Sequence, residues 1–472
     1  MRRKKNKVFE KITIEKVGSK GKTISSANDG KTIIIDGGAP GDIVDLKTYK
    51  KRKSYYQAKI TQFHKYSKIR TQPVCEHFGV CGGCKWQHIE YEQQLKFKQS
   101  EVYNNLKRIG KVDIEEIVPI KKAPKQYNYR NKMEYSFSDS RWLSAEEINS
   151  NKKIINKNAL GFHIPGMWNK VVDINKCFLQ EDYTNKIRNE VKEFSIKNNI
   201  SFFNYKESVG DLRTLMIRTS STGELMILIQ FFNKNEDKIK LLLNHIKSTF
   251  PDINSLLYVI NSKANDTIYD QEIKCFYGNN FISEKMNELV FKIYAKSFYQ
   301  TNSNQAYELY KIVKEFGQFK KNEIVYDLYT GTGTIGLFIA KYVKKIIGIE
   351  SVPDAIKAAK ENAKRNNISN CSYFVGDMKT VFNSEFIKKN GIPNTIITDP
   401  PRDGMHKKVV GEIMKLLPQK IIYVSCNSAT QARDLELLKN QYRIIKSQAV
   451  DMFPQTHHIE NVVLLNKKKN EF

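Results

Sequence analysis

The stretch EIVYDLYTGTGTIGLFIAKYVKKIIGIE, residues 323–350, decides the fold. EIVYDL (323–328) is a short apolar strand, TIGLFIAKY (334–342) a helix, and KIIGIE (345–350) the next strand. Outward from this unit the alternation continues. A helix over 353–366 is followed by strands at 371–375, 394–399, 421–425 and 442–450, with VVGEIMKLL and TQARDLELLKN as intervening helices and IENVVLLN as a closing strand. Repeated βα units of this length predict a parallel sheet covered on both faces. Ligands of such sheets bind beyond the carboxyl ends of the strands.

Gly331, Gly333 and Gly336 form G-x-G-x-x-G in the first turn, and Glu350 ends the second strand, where a ribose-binding acid belongs. A glycine turn alone also suits a nicotinamide dinucleotide. Asp327, at the carboxyl end of the first strand, repels a pyrophosphate but welcomes a cationic sulfonium or amino group, so the expected cofactor is S-adenosylmethionine. Three further groups fall at the same edge: Asp399 in TDPPRDG, Cys426 directly after IIYVS, and Glu460 in HHIENVV, provided the closing strand runs antiparallel. Arg402 and Arg433 are possible phosphate contacts, and His457 and His458 possible partners of Glu460.

A thiol, a carboxylate and a methyl donor over one pocket suit methylation at C5 of a uracil. A thiolate adding to C6 delivers negative charge to C5, which then attacks an electrophilic methyl. A base must next remove the C5 proton so that the thiolate can leave. Cys426 is the expected nucleophile and Glu460 the expected base. The positive end of the helix at 429–439 is expected to help form the thiolate.

Cys75, Cys81 and Cys84 appear as C-x5-C-x2-C in PVCEHFGVCGGCKWQH, with Cys177 as the candidate fourth ligand. Four thiolates suit zinc or an iron–sulfur cluster, and the compact triplet with one distant cysteine is more like a [4Fe–4S] site. Cys275 and Cys371 lie in strand-like runs and are expected to be core thiols. The odd total of seven cysteines fits a reducing, cytoplasmic setting.

The 472 residues carry a formal charge of +28, with 40 % hydrophobic and 11 % aromatic content, enough for ordinary cores. Residues 1–70 hold 19 Lys or Arg against 6 Asp or Glu, a net of +13, which argues for a module facing a polyanion. KITIEKV, KTIIIDG, DIVDLKTYK and SYYQAKITQF predict five or so short strands there, enough for a small closed barrel. YEQQLKFKQSEVYNNLKRI (91–109) predicts a linking helix. Residues 127–300 predict an α+β unit with a loop or insertion around 141–160. Arg130, Asn131 and Lys132 precede one of its strands. No run is apolar enough for a membrane span, and a signal-peptide core is not expected after MRRKKNK.

Taken together, GGAPGDIVDLKTYKKRKSYYQAKI, CEHFGVCGGCKWQHIEYEQQLKFKQ, YRNKMEYS, INKCFLQ, FYQTNSNQ, VYDLYTGTGTIGLFIA, TDPPRDG, YVSCNSATQARDL and HHIENVVLL resemble the RNA uracil-5-methyltransferases over nearly the whole chain. The likeness is to the branch with an N-terminal TRAM domain and an iron–sulfur cluster that acts on 23S ribosomal RNA. It implies a TRAM-like barrel at 1–66, a central cluster-bearing domain at 67–299 and a Rossmann-like methyltransferase domain at 300–472. Cys75, Cys81, Cys84 and Cys177 would hold a [4Fe–4S] cluster. Gln300, Asp327, Tyr329, Gly331, Gly333, Thr334, Glu350, Asp377 and Asp399 would form the S-adenosylmethionine site. Cys426, Glu460 and Asp399 would be catalytic. A monomer acting on a flipped uridine in 23S ribosomal RNA is the expectation, with the transfer RNA T-loop or two ribosomal uridines as alternatives. Ser428 stands where the family commonly has proline after Cys-Asn.

Overall fold

The computed structural model describes residues 6–150 and 156–469. The basic start of the chain and the middle of the 141–160 insertion lie outside these residues. At the N-terminus, β1 (Val8–Thr13), β2 (Lys16–Val17), β3 (Thr23–Ser26), β4 (Thr32–Asp36), β5 (Ile43–Lys51) and β6 (Tyr55–Lys65) form one sheet in the order β1-β5-β6-β4-β3-β2. β1 and β2 are two halves of one bent strand. The first half pairs with β5 and the second with β3, so the sheet closes on itself around Ile33, Ile35, Val44, Leu46, Tyr56 and Ala58. Tyr56 is core, at 1 % exposure. Asp42, fully buried, anchors the exit from this ring: it accepts two hydrogen bonds from Arg70 at 2.8 and 2.7 Å.

A helix Tyr91–Arg108 leads to β7 (Ile114–Lys121). Seven strands then make the central sheet: β8 (Lys132–Ser138), β9 (Ala159–Ile164), β10 (Met167–Asp173), β11 (Leu212–Thr219), β12 (Leu225–Phe231), β13 (Ser255–Ile260) and β14 (Lys274–Gly278). Helices Asp182–Lys197 and Glu236–Thr249 pack on it. A hairpin of β15 (Phe281–Met286) and β16 (Leu289–Tyr294) comes next.

The C-terminal sheet contains β17 (Ile324–Leu328), β18 (Lys345–Glu350), β19 (Cys371–Val375), β20 (Thr395–Thr398), β21 (Lys420–Ser425), β22 (Tyr442–Val450) and β23 (Glu460–Lys467). Its order is β19-β18-β17-β20-β21-β23-β22-β7, with apolar clusters on both faces. β23 runs antiparallel to β21 and β22. The eighth strand departs from the sequence-based expectation. β7, which lies within the stretch assigned to the central unit, pairs in parallel with β22 and caps the C-terminal sheet. The helix Tyr91–Arg108 goes with it, contributing Val102 and Leu106 to that sheet's core. Cys275 is also displaced from expectation: it is exposed on the edge strand β14, while Cys371 is partly buried.

Candidate active site

The turn after β17 is shaped by three successive requirements for left-handed backbone, at Tyr329 (φ 63°), Gly331 (φ 55°) and Gly333 (φ 78°). A side chain on Gly333 would place its Cβ 2.8 Å from the Tyr373 hydroxyl, whereas the space in front of Gly331 is open. Asp327, 1 % exposed, braces the turn. Its Oδ2 accepts from Thr330 Oγ1 at 2.6 Å and from the Gly336 amide at 3.1 Å, and its Oδ1 is buried with no partner. Burial, with the Glu350 charge adding to it, lifts this carboxyl to about 6 against the pull of those two donors. A buried, unpaired carboxylate oxygen beside an open glycine turn fits a cationic ligand such as S-adenosylmethionine.

The other residues expected at the cofactor are arranged around this turn. Glu350 accepts from the Gly331 amide at 3.2 Å through Oε2, while Oε1 accepts from the amides of Ser351 and Val352, just ahead of the next helix. Gln300 is buried, and its carbonyl accepts from Asn131 Nδ2 at 3.1 Å. Asn131 also reaches Ser303 Oγ at 2.9 Å, so this residue clasps the hinge before the catalytic sheet. Thr334 gives its hydroxyl to a 2.8 Å bond with Tyr310, which leaves its main chain to face a ligand. Asp377 is exposed and caps a short helix through the Lys379 amide.

Cys426 and Glu460 meet through strand register. The β21–β23 ladder pairs Lys420 with Asn466 and continues step by step to Ser425 with Asn461, so the next facing pair is Cys426 with Glu460. Asp399 lies one residue past β20, its amide bonded to the Leu328 carbonyl at 3.4 Å. Burial pushes Asp399 up to about 7, with Asp327 adding to it. Burial and the Asp399 charge hold Glu460 well above the usual carboxylate range against the opposing Arg402. Among the described residues, none of Asp327, Asp399 and Glu460 has a basic side chain within 4.0 Å.

The same environment acts on the sulfur. Burial and the two acids push the Cys426 thiol up to about 11, and Arg402 opposes them. The expected help from the neighbouring helix is outweighed. That helix begins at Ser428, and its N-cap Asn427 already takes the Ala429 amide at 3.1 Å. Cys426 sits just outside the helix and rests as a thiol. Arg402 is held where it matters: its carbonyl accepts from Asn427 Nδ2 at 2.9 Å and Thr430 Oγ1 at 3.0 Å. Arg433 instead bonds Asp434 and the Asp403 and Met405 carbonyls, and so stabilises loops. Ser428 Oγ accepts from Asn105 Nδ2 at 2.9 Å, which ties the turn after Cys426 to the helix Tyr91–Arg108. His457 and His458 are driven down to about 3 and about 4, chiefly by burial, and are neutral near pH 7.

Cys75, Cys81, Cys84 and Cys177 line one cavity of about 390 Å³, together with Arg130, Arg402, Phe453, Thr456 and His458. Arg402 thus borders both this cavity and the Cys426 pocket. Burial raises the thiols of Cys81 to about 11 and of Cys84 to about 12. Among the described residues no three acidic, thiol or imidazole groups sit close enough to hold a single metal ion. A cubane cluster spreads its ligands over a larger volume than one ion, and four convergent thiols around an open cavity fit that donor chemistry.

The family model described as tRNA (Uracil-5-)-methyltransferase matches residues 214–468. An uncharacterized RNA methyltransferase of Bacteroides thetaiotaomicron is 49 % identical over 95 % of this chain and 99 % of its own length. One from Chlorobaculum tepidum is 37 % identical over 99 % of this chain and 98 % of its own. The crystal structure of Pyrococcus abyssi tRNA (uracil-54, C5)-methyltransferase in complex with S-adenosyl-L-homocysteine is similar with a TM-score of 0.75 and 29 % identity, over 96 % of this chain and 100 % of that one.

Proposed function

The chain belongs to the tRNA (uracil-5-)-methyltransferase family and is an S-adenosylmethionine-dependent RNA uracil-5-methyltransferase; from that premise we propose that it methylates a uridine of 23S ribosomal RNA, with Cys426 as nucleophile and Glu460 as base. The observation that carries the chemistry is the facing of Cys426 and Glu460 at the end of an antiparallel ladder, both within reach of the Asp399 charge.

Cys426 must first release its proton to solvent, and Arg402 is the charged group of the pocket that favours the thiolate left behind. Cys426 Sγ then bonds to uracil C6, and the C5–C6 electron pair moves towards the O4 carbonyl. Bound S-adenosylmethionine supplies an electrophilic methyl on a cationic sulfur. Gln300, Glu350 and the main chain of Tyr329–Thr334 would hold that ligand, with the free oxygen of Asp327 favouring its positive charge. C5 takes the methyl with its electron pair, the broken S–CH3 bond leaving its electrons on the donor sulfur as a neutral thioether, and Glu460 then takes the C5 proton. The electrons of the broken C–H bond restore the C5–C6 double bond, and the C6–Sγ bond breaks to return the Cys426 thiolate. As the carboxylate, a group whose neutral form is favoured by burial is a stronger base than an ordinary glutamate. The target base must leave its stack to reach the pocket, which favours a loop.

The four-cysteine cavity is the proposed [4Fe–4S] site, held by Cys75, Cys81, Cys84 and Cys177. Such a group would tie residue 75 to residue 177 and shape the RNA-facing wall. The closed N-terminal ring is the proposed TRAM-like grip on the RNA backbone, supported by the local excess of Lys and Arg. A second reading, the same reaction on uridine 54 of transfer RNA, is favoured by the named activity of the similar Pyrococcus enzyme.

Mapping 5-methyluridine in cells lacking the protein separates these readings. Loss at one or two 23S positions supports the first, and loss only in transfer RNA replaces it with the second. With purified enzyme and unmodified RNA, Cys426→Ala should form neither product nor adduct, and Glu460→Gln should trap a covalent complex.

A further inference from the structure

The segment Asp451–Gln455 enters the active site just ahead of Glu460, and its main chain is held in an unusual way. Five consecutive carbonyls each accept a hydrogen bond from another element. Asp451 O accepts from Gln305 Nε2 at 2.8 Å, Met452 O from Asn302 Nδ2 at 2.9 Å, and Phe453 O from Lys98 Nζ at 3.1 Å. Pro454 O accepts from the Tyr129 hydroxyl at 2.9 Å, and Gln455 O accepts from the amides of both Lys85 and Trp86, each at 3.0 Å. The last two amides lie directly after Cys84. One link therefore joins the cysteine-bearing loop to the strand that carries the base.

Gln455 is the centre of that link. It is 3 % exposed and adopts a left-handed backbone at φ 67°, a conformation that costs a non-glycine residue free energy. The side chain of Gln94, fully buried on the helix Tyr91–Arg108, bonds both the side chain and the main chain of Gln455. Gln94 Nε2 donates to Gln455 Oε1 at 3.0 Å, and the Gln455 amide donates to Gln94 Oε1 at 3.1 Å. Gln94 Nε2 also reaches the Trp86 and Ile89 carbonyls at 3.0 and 2.8 Å. A strained residue held by so many buried partners is fixed in place, and from it the chain runs through His457 and His458 to Glu460.

We infer that Gln455 is a positioning residue for the final step of the reaction: clasped by Gln94 and by the loop after Cys84, it sets the carboxyl of Glu460 against the C5 proton. The inference rests on Glu460 being the base. A misplaced base slows elimination but leaves sulfur addition and methyl transfer intact, so the fault has its own signature: methylated RNA that stays bound to the enzyme.

The test uses the full-length enzyme with unmodified RNA, S-adenosylmethionine and denaturing gels. Gln455→Gly keeps the left-handed backbone and removes the side-chain clasp; Gln94→Met removes the partner from the other helix; Gln455→Asn, which tolerates the same backbone, is the conservative rescue. Turnover of the first two should fall about 10–100-fold, in the range that a small displacement of a catalytic group produces. The KM for the methyl donor should stay unchanged, and covalent RNA should accumulate, with Gln455→Asn recovering part of the rate. Adduct formation itself reports a folded active site. Unchanged turnover, or a loss in both clasp variants without adduct, overturns the inference. If Glu460→Gln traps no complex, the assignment of the base has failed instead, and the two failures are thereby told apart.

Discussion

Lys98 and Asp451 meet at 2.5 Å with neither side chain exposed, the one ion pair among the described residues that is wholly out of solvent. Asp451 also accepts from the Tyr91 hydroxyl at 2.8 Å. The pair joins the helix Tyr91–Arg108 to the segment ahead of Glu460. Removing one member leaves the other charged and unpaired. Lys98→Met is expected to destabilise the fold by about 3–5 kcal/mol, and a Lys98→Met/Asp451→Leu double variant to recover much of that loss. Urea unfolding monitored by fluorescence measures both; equal loss in the single and double variants would contradict the argument.

The resting state of Cys426 is testable without RNA. A thiol raised to about 11 should react slowly with iodoacetamide near pH 7.5, with a rate that climbs as pH approaches that value. Arg402→Gln should lower the rate at every intermediate pH, because the opposing positive charge is gone. Mass spectrometry of the peptide containing Cys426, across a pH series, gives the profile. A midpoint near 7 would mean that a thiolate pre-exists.

Asp399 links stability to pH. Its folded value of about 7 lies above the ordinary 3.8, so the folded state keeps a proton that the unfolded chain loses. That contribution is present at low pH and disappears as pH rises from about 4 through 7, at a slope of up to about 1.4 kcal/mol per pH unit. Asp399→Asn, which cannot ionise, should therefore melt higher than the parent at pH 8, and the difference should shrink towards pH 4. A pH-independent difference would locate the ionisation elsewhere.

Metal analysis addresses the four thiols. Anaerobically purified protein should carry about four irons per chain and a broad absorbance in the visible region, as a [4Fe–4S] cluster requires. Cys177→Ser should lose most of both. Stoichiometric zinc in place of iron would assign the cavity to a different metal.

Much of the catalytic sheet is legible in the sequence because βα alternation is dense there: the strands expected at 345–350, 371–375 and 442–450 form over those residues. The facing of Cys426 and Glu460 is also legible, since it needs only an antiparallel closing strand. β7 is not. IEEIVPIK is a charged strand containing Pro119, the profile of a sheet edge, and nothing local identifies a partner so remote in sequence. The Asp451–Gln455 segment is illegible for another reason. Its role lies in carbonyl groups, which every residue possesses, and so no side-chain pattern marks it. The thiol's resting state likewise depends on how deeply the neighbouring carboxyls are buried, which residue spacing does not report.

The capping of the catalytic sheet by β7 bears on how the enzyme is made. Ile114 lies 330 positions ahead of its partner Ile444. On a growing polypeptide it is synthesised long before the strand it will join, and it stays without that partner until β22 emerges. Maturation of this enzyme is therefore tied to the synthesis of β22 and β23: a nascent fragment lacking them has no finished catalytic unit, and a fragment beginning at the cofactor hinge leaves β22 as a bare template for association with other chains.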